Sequence, residues 1–362
     1  MSQQNLPTIN MIVQRHGNHA AVSGYDRIVD YIPANVINRV RDPNFFQKVV
    51  ARFLRTLYVR SGSQWYGKQG LITELIAAIK WMKSSGQIFH FVYAENGFRN
   101  IGALKKFRRN HIVCTYHTPP NRFAEVVLDH THLNAIDAAI VLAKASYGIF
   151  EDLLGSDRVH YIPHGVDTEF FRPALHPVVH QSNENFRCLF VGSHLRDFKM
   201  LANTARSLER ERTDIHFEII TLKMDYHYFE GLSNVTLRRR ISDEELRLAY
   251  QSSDVLLMPL LDATANNSML EAMACGLPIV VTDLPGVRDY LDENCACMVL
   301  PGDGEQFRET ILSLLDNPSQ RSVLGQRART KSLEYSLPLI AQKTEEVYRQ
   351  IINQTKNHSR KR

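Results

Sequence analysis

Short runs of β-branched and aromatic residues alternate with helical patterns along almost the whole chain of 362 residues. This alternation is typical of parallel β-sheets whose strands are joined by helices packed on the sheet faces. In the first half it predicts strands near Ile9–Gln14, Phe89–Tyr93, Ile112–Tyr116, Ala138–Leu142 and Val159–Ile162. In the second half it predicts strands near Arg187–Val191, His216–Thr221, Val235–Leu237, Val255–Met258, Ile279–Thr282 and Cys297–Leu300. Each half is expected to form its own sheet.

The chain is long enough to bury more than one core, so two domains are expected. Residues 173–185 hold two prolines and several polar residues without a sustained period, which is typical of a linker. We therefore predict a Rossmann-like domain over 1–172 and a second over 186–337, followed by a C-terminal helix and basic tail over 338–362.

Several protein classes are disfavoured by composition and pattern. No apolar run approaches the length of a membrane span, and the N-terminal residues lack the pattern of a signal peptide. The expected location is the cytoplasm. The odd, scattered set of five cysteines suits free thiols, and Cys295 with Cys297 lacks a second close pair that would complete a zinc site.

The basic excess lies in the first half of the chain. Residues 1–172 hold 20 Lys and Arg against 13 Asp and Glu, a balance of +7, whereas residues 173–362 hold 23 against 25, a balance of −2. A helical pattern carries Lys48, Arg52, Arg55 and Arg60, and a compact cluster spans 105–109. The ordinary explanation of these basic residues is that they lie on solvated helix faces. The more specific alternative is that they form a patch that binds anionic lipid headgroups.

The segment 268–283 predicts a phosphate-binding helix followed by a buried strand. The helix is expected to begin at Ser268 as N-cap and to end at Gly276 as a left-handed C-cap. A helix N-terminus offers free N–H groups and partial positive charge to phosphate oxygens. Glu271 in the first turn could accept hydrogen bonds from a ribose diol. An equally good local interpretation is a capping box of Ser268 and Glu271.

A second segment places cations after a strand. The strand 187–191 ends in Gly192, and Arg196 and Lys199 follow on the way into a helix. Ligands of parallel sheets bind outside the carboxyl ends of the strands, so these two cations are placed to contact a ligand there. The alternative is that Arg196 pairs with Asp197 or Asp214 on a solvated face.

These two segments resemble the GT-B-fold retaining glycosyltransferases of family 4, the glycosyl transferases group 1. That family carries two Glu residues, the second followed by Ala-Met-Ala-x-Gly-x-Pro-Val-Val, and residues 271–281 follow this pattern closely. The first Glu falls on Ala263, where the neighbouring Asp262 could substitute. Asn266 and Asn267 stand near the usual Gly-Phe-Gly and could supply its backbone angles or form an Asx-rich turn.

The resemblance implies an α/β GT-B fold, two Rossmann-like domains with a cleft between them, and sugar transfer with retention and without a metal or other cofactor. Ser193 stands where the family has an arginine, so Arg196 is the predicted substitute. The implied residues are His117, Arg196 and Lys199 for catalysis, Gly192, Asn266, Asn267, Ser268 and Glu271 for the donor, and His16, Gly17 and Gly24 for the acceptor loop. A plain turn explains those loop glycines equally well.

The predicted partners are a nucleotide-sugar donor and an acceptor that is a glycan, a lipid-linked sugar or a small molecule, with peripheral contact to an anionic membrane. Nucleic acid is not expected, because no aromatic and basic reader motif occurs. Two rival functions stay open. One is a sugar-nucleotide epimerase or hydrolase. The other is a degenerate protein that binds nucleotide or a partner without turnover, which is suggested by Ala263 at the position of the family's first Glu.

Overall fold

The computed structural model describes residues 6–14, 22–54, 56, 65–175 and 185–360, of which 357–360 are described by their backbone alone. The chain packs into two compact units. The first unit comprises Met1–His19, Gly24–His164 and Pro338–Arg362, and the second comprises Ala20–Ser23 and Gly165–Leu337.

The first unit contains a parallel sheet in the order β2-β1-β3-β4-β5-β6. Its strands are β1 Ile9–Val13, β2 Asn35–Asn38, β3 Ile88–Phe91, β4 His111–Tyr116, β5 Ala138–Val141 and β6 Val159–Tyr161. Its helices are α1 Phe45–Phe53, α2 Lys68–Met82, α3 Ala94–Gly97, α4 Pro120–Val126 and α5 Tyr147–Leu154. Short 3₁₀ helices span Tyr25–Asp30, Ile101–Lys106, Thr131–Ala135, Lys144–Ser146 and Ser156–Arg158.

Both faces of this sheet are buried. Alternate residues of the central strands, such as Phe89 and Val113, belong to two separate hydrophobic clusters. Trp81 of α2 packs in one cluster, and Tyr348 of the C-terminal helix packs in the other. Strands that are buried on both sides consist of continuous apolar runs, and such runs were the pattern that predicted these strands.

The second unit contains a parallel sheet in the order β12-β11-β10-β7-β8-β9. Its strands are β7 Phe186–Val191, β8 Ile215–Ile220, β9 Val235–Arg238, β10 Val255–Met258, β11 Ile279–Thr282 and β12 Cys297–Val299. Its helices are α6 Phe198–Glu211, α7 Asp243–Ser252, α8 Asn267–Cys275, α9 Pro285–Arg288, α10 Gly304–Asp316 and α11 Pro318–Ser332, with 3₁₀ helices at Lys223–Phe229 and Leu333–Tyr335. One sheet face is covered by α8, the other by α6 and α10.

The predicted strands are confirmed to within one or two residues, but β2 was missed. This strand, Asn-Val-Ile-Asn, lies at the edge of the first sheet and is largely exposed. An edge strand buries little, so it lacks the apolar run that marked its neighbours.

The unit boundaries differ from the prediction. The main segment of the second unit begins at Gly165, ahead of the predicted boundary at 172, because Val166 pairs with Ser336 and Phe171 is buried in the second core. The final helix, α12 Leu337–Arg360, packs from Pro338 onward with the first unit. Residues 176–184 of the predicted linker lie outside the described residues. No helix in the described ranges is both long and apolar enough to span a bilayer.

Candidate functional site

The loop after β7 brings a half-buried cation against a glycine. Gly192 has a φ of 107° and Leu195, exceptionally for a residue with a side chain, a φ of 56°. These two left-handed positions turn the chain so that the Arg196 guanidinium lies on Gly192. A Cβ at Gly192 would come within 2.6 Å of Arg196 Nη2. Glycine is therefore required here both for its backbone angle and for space.

The Arg196 guanidinium is held by oxygens of neutral groups. It donates to the carbonyls of Val191, at 3.2 and 3.3 Å, and His194, at 3.1 Å, and to Asn266 Oδ1 at 3.2 Å. Burial lowers the pKa of Arg196 to about 10, and the nearby Glu271 opposes that shift. The side chain thus keeps its charge at neutral pH, and no carboxylate in the described ranges forms an ion pair with it.

The alternative ion pairs predicted for Arg196 are absent from the described residues. Asp197 caps α6 by accepting from the Met200 N–H at 2.9 Å, and Asp214 pairs with Arg212 at 2.7 Å. Both carboxylates are therefore committed elsewhere. Lys199 lies in the first turn of α6, is exposed, and forms no ion pair with any described residue.

The N-terminus of α8 is capped by a different residue from the one predicted. Asn266 Oδ1 accepts from the Met269 N–H at 3.3 Å, and the helix begins at Asn267. The prediction of Ser268 as N-cap is wrong, and so is the capping box, because Ser268 already lies inside the helix. Gly276 does end it in the left-handed conformation, with a φ of 72°. The Asn266 amide oxygen thus joins this helix N-terminus to Arg196.

Glu271 faces the interior of the second unit rather than its own helix cap. It is 3% exposed. Its Oε1 accepts a hydrogen bond from the Ser23 hydroxyl and its Oε2 accepts one from the Tyr250 hydroxyl at 2.8 Å. Burial raises the pKa of Glu271, while these two hydrogen bonds lower it. The carboxylate is positioned by hydroxyl donors, which is the kind of group a ribose diol presents.

Sequence reasoning missed Tyr250 and gave Ser23 no role of its own. Tyr250 is a fully buried residue of α7, and a buried phenol needs a hydrogen-bond partner, so its hydroxyl was the available signal. For Ser23 there was no local signal, since its partner Glu271 is remote in sequence.

The loop before α8 is held by a local hydrogen bond and by close packing against Gly286. Asp262 Oδ1 accepts from the Ala263 N–H at 2.8 Å. A Cβ at Gly286 would meet the Ala263 carbonyl at 2.0 Å, so close backbone packing fixes the loop at that position. Asn267 is half-buried at the first position of α8, and Ser268 is buried beside it. Whether Asp262 substitutes for a glutamate at 263 stays a prediction.

Within the first unit, His117 follows β4 as predicted and is held rigidly. Its Nε2 lies 2.8 Å from the Val92 carbonyl, and its ring stacks on Tyr93 at 4.1 Å. The backbone N–H groups of His117 and Thr118 donate to Glu95 at 2.5 and 2.8 Å. Burial raises the pKa of Glu95, and these donors oppose the rise.

The predicted acceptor loop is only partly described. Gly24 has a φ of 105° and precedes the 3₁₀ helix Tyr25–Asp30, so glycine is required there. His16 and Gly17 lie outside the described residues. In the parts of the chain that are described, no group of three or more His, Cys, Asp or Glu side chains could hold a metal ion.

Gly192→Ala tests the architecture around Arg196. We expect it to lower the free energy of unfolding by about 1–3 kcal/mol, because alanine rarely adopts such a positive φ. The matched control is Gly148→Ala in α5, where a Cβ meets nothing within 4 Å and no loss is expected. Urea unfolding of both variants measures the difference. Equal stability of the Gly192 variant and the wild type would contradict the requirement for glycine.

Comparison with known proteins agrees with this architecture. Residues 169–317 match the model of the family described as glycosyl transferases group 1. Curated relatives include MMP alpha-(1->4)-mannosyltransferase of Mycolicibacterium hassiacum, 26% identical over 222 residues, and D-inositol 3-phosphate glycosyltransferase of Paenarthrobacter aurescens, 26% identical over 215 residues. These alignments cover 58% and 54% of this chain and 53% of each relative. The chain thus spans about half the length of the curated relatives it matches.

Solved structures share the fold over nearly the whole chain. Sucrose-phosphate synthase from Thermosynechococcus elongatus aligns with a TM-score of 0.70 at 16% identity, covering 96% of this chain and 99% of that one. Anabaena HepE in complex with UDP-glucose aligns with a TM-score of 0.68 at 15% identity, covering 94% and 98%. The fold is therefore that of the GT-B glycosyltransferases. The family match over 169–317 includes the cluster around Arg196 and Glu271, so this part of the chain is similar to the glycosyl transferases group 1.

Proposed function

We propose that this chain is a retaining, metal-independent glycosyltransferase that moves a hexose from a nucleoside-diphosphate sugar to an acceptor. The observation that carries the proposal is the half-buried Arg196 guanidinium, held by neutral oxygens and joined through Asn266 to the N-terminus of α8. A cation and a helix N-terminus that converge are suited to the charge that develops on a leaving diphosphate. The HepE structure, which holds UDP-glucose, supports a donor of this kind.

The residues of the second unit take separate roles in this proposal. Glu271 accepts hydrogen bonds from the ribose hydroxyls, while Arg196 and Lys199 face the diphosphate. Gly192 leaves room for the Arg196 guanidinium that binds the donor, and Asn266, Asn267 and Ser268 present the first turn of α8 to the phosphates. His117, held between Val92 and Tyr93, contacts the transferred sugar near its reacting carbon.

Retention of configuration and independence of metal follow in this proposal from the family resemblance. The sequence contains no Asp-x-Asp, the pattern that would present two carboxylates to a divalent ion. The acceptor is a glycan, a lipid-linked sugar or a small molecule, and the basic first half contacts an anionic membrane from the cytoplasmic side. Nucleic acid is no partner in this proposal.

A screen of sugar nucleotides by thermal unfolding tests the donor. A ligand bound only by the folded protein at about 100 times its Kd adds about 2.7 kcal/mol to the free energy of unfolding. We expect one nucleoside diphosphate and its sugar conjugates to raise the melting temperature, and the others to have little effect. The proposal of a nucleotide-sugar donor fails if no nucleoside diphosphate stabilises the chain.

A donor found in this way then separates transfer from the rival functions. A transferase forms product only with an acceptor, whereas an epimerase or hydrolase yields an epimer or free sugar from the donor alone. The degenerate alternative is motivated by Ala263, which stands where the family has its first Glu. It predicts stabilisation by nucleotide with no turnover under either condition.

A further inference from the structure

The amphipathic helix α1 in the first unit has a free apolar face. It begins with a complete capping box, in which the Gln47 N–H donates to Asn44 Oδ1 at 2.8 Å and the Asn44 N–H donates to Gln47 Oε1 at 2.9 Å. Only Ala51 among its residues is fully buried. The helix is thus set firmly at its start while most of its surface faces outward.

The outward face carries three phenylalanines. Phe45 and Phe53 are each 83% exposed and Phe46 is 73% exposed. On a helix with 3.6 residues per turn, positions 45, 49 and 53 lie along one stripe with 46 at its margin. Contiguous aromatic side chains left in water mark a surface that another apolar phase covers.

Two cations border this stripe. Lys48 and Arg52 are exposed on the side of the helix next to Phe45, and neither forms an ion pair with a described residue. Arg55 and Arg60, which the sequence pattern grouped with them, lie outside the described residues. The apolar stripe with a basic margin is the arrangement of helices that lie in the headgroup region of anionic bilayers.

Exposed apolar and basic side chains also occur near the C-terminal end of α2, in the same unit. Helix α2 contacts both α1 and the 3₁₀ helix Ile101–Lys106, and it exposes Ile79 and Met82. Phe107 is 57% exposed and is followed by the exposed Arg108 and Arg109. Arg108 Nε donates to the Met82 carbonyl at 2.9 Å, which ties this segment to the end of α2. Lys105 does not contribute, because it pairs with Asp137.

We propose that α1 lies in the surface of an anionic bilayer, with Phe45, Phe46 and Phe53 below the headgroups and Lys48 and Arg52 among them. The favoured occupant is lipid because the exposed stripe and its margin carry cations and no carboxylate, within a first half of net charge +7. A second copy of the chain would bring like charges together. This docking rests on the membrane contact in the proposed function and names the helix that makes it, and a lipid-linked acceptor for the docked enzyme rests on the same proposal.

Co-sedimentation of the whole chain with vesicles tests the proposal. Vesicles of phosphatidylcholine alone are compared with mixtures containing phosphatidylglycerol, from low salt to about 1 M, where the Debye length falls to ~3 Å. We expect preference for anionic vesicles at low salt, and residual binding at high salt. Electrostatic attraction alone would vanish at high salt, so the binding that persists at high salt measures the contribution of the phenylalanine side chains.

Two variants and one control separate the contributions. Phe45→Ser with Phe46→Ser is expected to lower the vesicle partition coefficient at every salt concentration, by about tenfold or more for each ring that inserts. Lys48→Gln with Arg52→Gln should lower it at low salt and leave it unchanged at high salt. The matched control Leu128→Ser changes a residue that is 66% exposed in the same unit, beside Asp129, and should bind as the wild type.

Melting temperatures and sedimentation velocity complete the test. All substituted side chains are exposed, so unchanged melting temperatures are expected. The proposal is overturned if the phenylalanine variant partitions as the wild type, or if it converts a dimer to a monomer without affecting vesicles. Vesicle binding requires no donor, so failure of sugar transfer and failure of docking are observed independently.

Discussion

Replacement of Arg196 by alanine is expected to lower kcat by about 10²–10³-fold, while the affinity for a nucleoside monophosphate changes much less. The guanidinium is half-buried and held by neutral oxygens, so its charge is available to a diphosphate. A monophosphate develops no leaving-group charge and gains little from it. Steady-state kinetics and calorimetric titration with the monophosphate measure the two effects.

Two companion variants sharpen this result. Lys199→Ala should also lower turnover, but less, because Lys199 is exposed and its field is screened by water. The control is Arg212→Ala, which removes a cation of the same unit that already pairs with Asp214. It should leave turnover unchanged. Unchanged turnover in both the Arg196 and Lys199 variants would remove these residues from the site.

Glu271→Ala is expected to weaken binding of the nucleoside part by about tenfold to a hundredfold, the range for lost hydrogen bonds to a charged group. Glu271→Gln retains the side-chain volume and one acceptor oxygen, and should weaken binding less. Affinity for the nucleoside monophosphate, measured by titration, reports the effect directly. Equal affinity in the alanine variant would instead assign Glu271 to holding Ser23 and Tyr250.

The arrangement of strands was predictable because it depends on local pattern. Buried parallel strands form apolar runs, and among the strands in the described residues only the exposed edge strand β2 was missed. The caps were less predictable. Asn266 and Ser268 are both good N-cap residues, so the sequence alone does not decide which begins α8. A shift of the start then changes what the Glu271 side chain can reach.

The interior of the site depends on contacts between residues remote in sequence. Glu271 meets Ser23 and Tyr250 only because the second unit gathers Ala20–Ser23, α7 and α8. Arg196 reaches Asn266 because Gly192 and Leu195 adopt left-handed angles, and nothing in the local pattern marks Leu195 for such an angle. The return of α12 to the first unit likewise has no local signature.

The Ser23 hydroxyl donates a hydrogen bond to the Glu271 carboxylate, which is the group that would bind the ribose in the proposed function. A donor would therefore exchange one hydrogen bond for another at Glu271, and its net affinity would report the difference. Because coupling between two binding events is reciprocal, a ligand that holds Ser23 away from Glu271 would tighten donor binding by the same factor by which the donor tightens that ligand. Ser23 adjoins Gly24 of the predicted acceptor loop. Synergy between donor and acceptor, measured as a lower donor Kd when acceptor is present, would then originate in a single serine hydroxyl.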